Sequence, residues 1–273
     1  MDIEDADLTG SRFERVDLRH SSFRSSDLSG STFRGVALHG VVMRGVELGH
    51  VEISGELLDV RVNGVDIAPL VEAELDRRDP QRGLMRPTDA QGFRHAWEVL
   101  DGLWTSTVGR ARALDPALLY ASVADEWSFI ETLRHLAFAT DSWVGRAILG
   151  DPSPWHPLEL PWDEMPDTPG VPRDREVRPD LDVVLALRAD RWAMVSTYLA
   201  GLTDEALDAD TEPVEGLGWP PPQSFPVREC LLVVLNEEWN HRLFAERDLA
   251  VLEAGSGEES GSVQAGSVEA RSP

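Results

Sequence analysis

Val227–Leu252 reads VRECLLVVLNEEWNHRLFAERDLAVL, and its reading decides the fold. No proline or glycine interrupts it, and apolar residues recur at three- and four-residue spacing. Leu231, Val234 and Leu235 lead in, and Phe244, Ala245 and Leu249 follow along the same side. A helix turns once per 3.6 residues, so positions four apart share a face. Glu237 and His241 stand four apart within this stripe, which predicts a carboxylate and an imidazole facing the protein interior. A carboxylate buried without a partner is costly, and a metal ion is one good partner. The plainer alternative is a glutamate at the edge of the stripe and a histidine hydrogen-bonded in the core, since i,i+4 pairs are common on helices.

The helix predicted over 226–253 has three companions upstream. Residues 89–113 place Phe93, Trp97, Leu100, Leu103 and Trp104 at helical spacing, with His95 expected at the surface or its boundary. Residues 128–149 open with Ser128 and Glu131 in the S-x-x-E form of a capping box, which assigns Glu131 to the cap. His135 falls two turns into this helix and alone would read as a satisfied core or boundary histidine. A third helix, 180–201, carries Arg188 and Arg191, which read as a solvated face or, alternatively, as partners of an anionic ligand. Between these helices, 150–179 is too rich in proline for regular structure, and its Trp155, His156 and Trp162 suit a loop that roofs a pocket. A second proline-rich loop, 212–226, leads into the last helix. Four helices with two long connections fit an all-α bundle, whose core can hold a metal between facing helices.

The chain opens differently. From Ala6 it repeats every five residues as ADLTG, SRFER, VDLRH, SSFRS, SDLSG, STFRG, VALHG, VVMRG, VELGH and VEISG. The third position is always apolar, from Leu8 and Phe13 to Leu48 and Ile53, and the first is small or β-branched. One large and one small inward side chain per pentad fits a narrow coil whose stacked turns bury identical positions. This pattern resembles the pentapeptide-repeat family, which implies a right-handed four-sided β-helix. Some members are acidic DNA mimics. Here residues 1–60 carry eleven acidic and six basic side chains, and the interspersed arginines break any continuous phosphate-like stripe. A structural or docking role for the coil is expected. Past it, Asn63-Gly64 predicts a tight turn between VRV and VDI, and LVEAELDRR predicts a short helix before Pro80.

The 273 residues carry a formal net charge of -24, which argues against binding to nucleic-acid phosphates. Cys230 is the single cysteine, so neither a disulfide framework nor a cysteine zinc cage is available, and it reads as a small core residue. No leader pattern and no membrane-length apolar run is present, so a cytoplasmic location without membrane contact is expected.

A second resemblance joins the helices into a site. EWSFIETLRHLAFATD, 126–141, looks like the W-S-x-x-E-x-x-x-H-L signature of the DinB/YfiT-like metal-binding four-helix-bundle superfamily. LNEEWNHRLFAERDLA, 235–250, is similar to that group's last-helix motif, usually H-x-x-x-H-R, with Glu237 in place of the first histidine. That departure coincides with the mycothiol-dependent maleylpyruvate isomerase branch, in which a His, a Glu and a His hold zinc. By that resemblance His135, Glu237 and His241 are the metal ligands, with Glu131 and Glu238 as candidates for orienting the imidazoles. The implied fold is mainly α with a small β part: an up-down four-helix bundle preceded by a short right-handed pentapeptide-repeat β-helix. The divisions are a repeat coil over 1–62, a turn, short helix and linker over 63–87, the metal-binding bundle over 88–253, and a tail without structure over 254–273.

What this implies is a divalent-metal-dependent enzyme of thiol (mycothiol-type) S-transfer or isomerisation, acting on a small-molecule substrate. Zinc is the first choice of metal, with nickel, manganese or iron compatible, and a low-molecular-weight thiol is the expected co-substrate. Two other readings stay open: a non-catalytic scaffold or stress-response module whose coil binds a protein partner or a second copy, and a metal-dependent hydrolase.

Overall fold

The computed structural model describes residues 3–265 and divides the chain into two compact units, Met1–Glu56 and Leu57–Pro273. In the first unit every fifth residue from Asp5 to Gly55 has a positive φ, so the sequence period is also a backbone period. Glycine takes this conformation without penalty at Gly30 and Gly40, whereas Arg15, His20 and His50 hold it with a Cβ. Asp7, Asp17 and Asp27 each accept a hydrogen bond from the backbone N–H two residues on, at 2.9–3.0 Å, which tightens alternate pentads into turns. These bonds are local. Among the described residues of this unit there is no strand, and the pentad-centre side chains are exposed, Phe23 to 65%. The regular turns are therefore present without the pairing between successive coils that would bury the repeated positions.

In the second unit, β1 (Arg61–Val62) and β2 (Val65–Asp66) pair antiparallel, Arg61 opposite Asp66 and Val62 opposite Val65. Asn63 and Gly64 both have positive φ, as a two-residue hairpin turn requires and as the Asn-Gly pair predicts. Helix α1 (Ala68–Arg78) follows. The segment from Pro80, expected to be linker, instead opens as a short helix, α2 (Pro80–Leu84). Asp79 accepts from the Gln81 N–H and Pro80 occupies the first turn, a cap and a preset φ that together start a helix.

Four long helices make the body: α3 (Ala90–Ala111), α4 (Phe129–Thr140), α5 (Leu181–Gly201) and, after the one-turn α6 (Asp204–Leu207), α7 (Val227–Ala265). Helix α3 packs on α5 and α7, and α4 packs on the same two. The core shared by α3, α5 and α7 takes Phe93, Trp97 and Leu100 from α3, Val195 and Leu199 from α5, and Leu231, Val234 and Leu235 from α7. Burial of such side chains stabilises by about 1.5–3 kcal/mol each. Trp97 stacks on Trp192 with centroids 3.7 Å apart, and His95 on the opposite face is exposed, as expected. Phe244, read as part of the buried stripe, is instead exposed.

Helix α4 begins at the predicted cap: Ser128 and Glu131 exchange side-chain and backbone hydrogen bonds. At Asp141 it widens into a π-helical stretch, Asp141–Ile148, that ends in an i→i−5 bond from Leu149 to Val144. Helix α7 runs past the point where structure was expected to stop, since an existing helix end propagates at one hydrogen bond per added residue. The rest of the tail, 266–273, lies outside the described residues. Among the described residues no helix is long and apolar enough to cross a membrane.

The two proline-rich connections, 149–180 and 208–226, are held onto the helices by buried arginines. Arg146 donates to the carbonyls of Pro152, Val214, Gly216 and Pro220. Gly218 passes so close that a Cβ there would stand 2.5 Å from the Trp155 ring and 2.9 Å from the Arg146 guanidinium carbon. Gly218→Ala should therefore lower the unfolding free energy by about 1–3 kcal/mol in chemical denaturation. Gly102→Ala, in α3 with nothing within 4 Å of the added carbon, should raise it by up to about 1 kcal/mol.

Candidate metal centre

Helices α4 and α7 bring together the three side chains singled out in the sequence. Ser128 fixes where α4 starts, which places His135 two turns in, within a helix buried at every position but Glu131. On α7 the 3.6-residue repeat puts Glu237 and His241 one turn apart, facing it. Nε2 of His241 lies 3.0 Å from Oε2 of Glu237, and Nε2 of His135 lies 3.4 Å from the same oxygen. One ligand atom from each residue lies within 4.8 Å of the others, the group of metal-capable side chains that converges among the described residues.

His135 is 6% exposed, so both of its ring nitrogens need partners. Nδ1 lies 3.0 Å from the carbonyl oxygen of Leu160, in the loop between α4 and α5. A carbonyl only accepts, so Nδ1 carries a proton and Nε2 is the nitrogen left to face Glu237 and His241. Burial alone would push the Glu237 carboxyl up, but its contacts with the His135 and His241 rings outweigh burial and hold the group far below the ordinary carboxylate range. A carboxylate kept ionised between two imidazole nitrogens is a donor set that suits a divalent ion.

Trp127 covers the two rings. Its indole lies 4.5 Å from His135 and stacks nearly parallel on His241 at 5.7 Å. The indole N–H donates to Asp163 of the same loop at 3.2 Å, and Asp163 pairs with Arg175 at 2.7 Å. Phe138 and Phe244 flank the two imidazoles, with centroids 6.1 Å from His135 and 5.8 Å from His241. The loop read as a roof contributes Trp155 and Trp162 to an aromatic cluster with Phe138 and Trp219, while His156 is exposed.

Several charged residues take other places than the sequence suggested. Glu131 stays in the cap and Glu238 is buried in a two-pronged pair with Arg188, at 2.8 and 3.1 Å, so neither orients an imidazole. Arg188 and Arg191, read as a solvated face, both turn inward. Arg191 donates to Asp141, at 2.6 and 3.0 Å, and to Glu159, at 3.2 Å. Cys230 is a buried core thiol whose pKa burial pushes up to about 12. What sequence reasoning missed is the Leu160 carbonyl and the Trp127 cover. A backbone acceptor leaves no signature, and Trp127 was legible only as a letter of the motif.

Glu159 is fully buried, and burial together with its neighbour Asp141 drives its carboxyl well above the ordinary 4.5. Above 4.5 the unfolded chain has lost a proton that the native state keeps, so stability falls as pH rises through that range. Glu159→Gln should flatten that slope and raise the unfolding free energy at pH 7 by about 1–3 kcal/mol, read from denaturation at several pH values.

Comparison with known proteins bears on the same segments. The model of the DinB superfamily matches residues 99–245, more than half the chain and all three converging side chains. The model for pentapeptide repeats matches residues 2–54 in 8 copies. No curated protein and no solved structure matches the chain.

Proposed function

The chain belongs to the DinB superfamily, and from that membership we propose that it is a divalent-metal-dependent enzyme of thiol S-transfer or isomerisation, of the mycothiol type. The observation that carries this reading is the meeting of two imidazole Nε2 atoms on one carboxylate oxygen, with the second nitrogen of His135 already satisfied. His135, Glu237 and His241 would hold the ion, zinc being the first choice for two nitrogens and one oxygen. A three-ligand set leaves room for a further ligand, and a divalent ion there favours the thiolate form of a bound thiol. The chain's own part is to present both lone pairs, keep Glu237 ionised, and cover the site with Trp127 and the loop behind it. The helices α3, α4, α5 and α7 would form an up-down four-helix bundle. The pentads would close into a right-handed β-helix, a reading supported by the left-handed residue at every fifth position.

Metal analysis of protein purified without chelator tests the site. The wild type should carry close to one equivalent of zinc or another first-row ion, and His135→Ala and Glu237→Ala should each lower the content at least about tenfold with helicity unchanged. Equal metal in all three proteins would contradict the assignment. Binding should weaken as pH is lowered, because protons compete with the ion for the imidazole nitrogens. Thiol consumption with a small electrophile should require the bound ion and be abolished in His241→Ala. Turnover without any thiol would point to hydrolysis instead.

A further inference from the structure

Beneath the roof loop lies a buried charge cluster that none of the proposed ligands uses. Glu159 immediately precedes Leu160, whose carbonyl accepts from His135, and both residues are fully buried. Arg191 of α5 reaches Glu159 Oε1 at 3.2 Å and Asp141 Oδ2 at 2.6 and 3.0 Å, and Glu159 Oε2 has no protein partner. Asp141 stands six residues after His135 in the same continuous helical segment, where the π-helical stretch begins. One guanidinium thus ties the loop residue beside Leu160 to the helix that carries His135.

The charges do not balance if both acids are ionised. Two almost fully buried carboxylates against one guanidinium leave a net negative charge whose burial is strongly unfavourable. The upward push on the Glu159 carboxyl agrees with the neutral acid being the one that lacks a second partner. A neutral side chain needs only hydrogen bonds to stay in place, so a neutral amide of the same shape should replace it.

We propose, resting on the metal reading, that Glu159 is a positioning residue for metal binding: held to Asp141 through Arg191, it seats the adjacent Leu160 carbonyl on His135 Nδ1 and so keeps Nε2 aimed at the ion. The loop has other anchors, which separates this role from folding. Arg134 donates to the Leu158 carbonyl at 2.6 Å and to those of Asp174 and Val177, and the Leu160 N–H donates to the Arg134 carbonyl at 3.3 Å.

The test is cobalt(II) titration of the full-length protein against a competing chelator, with the visible absorption of the bound ion as a second readout. Glu159→Gln should bind within about threefold of wild type with the same spectrum. Glu159→Ala should bind about 10–100-fold more weakly, the range for removing groups that support a ligand, with shifted absorption bands. If Glu159→Ala fails to fold, Glu159→Met keeps the volume without the polar contacts and should show the same loss. Wild-type affinity and spectrum in the alanine and methionine variants would overturn the proposal, and so would an equal loss in Glu159→Gln. Failure of the metal reading looks different: wild type then binds no cobalt, or His135→Ala binds it equally well, and the inference falls with it.

Discussion

A buried imidazole can lend one nitrogen to an ion only if an acceptor takes the proton on the other. His135 finds that acceptor in the main chain, 25 residues further on, at Leu160. The rest of the second unit can be read as what it takes to bring that carbonyl there. The capping box sets the rotation of α4, the apolar stripe of α7 sets the height of Glu237 and His241, and the loop closes the remaining side. Any one of these slipping by a residue would turn a ligand away, since successive helical residues point about 100° apart.

The loop holds its place through an unusual match between proline and arginine. Proline keeps a carbonyl and lacks an N–H, so a proline-rich stretch has more acceptors than donors. Arg146 supplies donors to carbonyls in both proline-rich segments, and Arg134 and Arg175 supply them to the first. Arg134 and Arg146 are almost fully buried and bond to backbone oxygens rather than to a carboxylate, and burial pulls their pKa values down from the usual arginine value. Five N–H groups in a fixed fork satisfy several strands of irregular chain at once.

The helices, the Ser128 cap of α4 and the facing pair on α7 were legible in the sequence because periodicity and the S-x-x-E capping box are local signals. His135 joined them only through a motif, since nothing local tells a core histidine from a ligand. The inward turn of Arg188 and Arg191 was not legible. Each sits on a helix face that looks solvated until Glu238, Asp141 and Glu159 arrive from other elements. The short helix at Pro80 was legible in principle, for Asp79-Pro80 is a helix start, but the prolines at 80 and 87 together read as a linker. In the first unit the five-residue period was plain and its left-handed corners follow from it. Whether turns pair with one another depends on contacts that the period alone does not specify.

The central claim is that His135 gives its Nε2 to a metal while its Nδ1–H stays on Leu160. Long-range proton–nitrogen NMR of the ring nitrogens in zinc-loaded protein tests it directly. The account predicts that His135 keeps a protonated, hydrogen-bonded Nδ1 and that its Nε2 resonance moves on zinc binding, together with a ring-nitrogen resonance of His241. A His135 protonated at Nε2, unmoved by zinc, would contradict it.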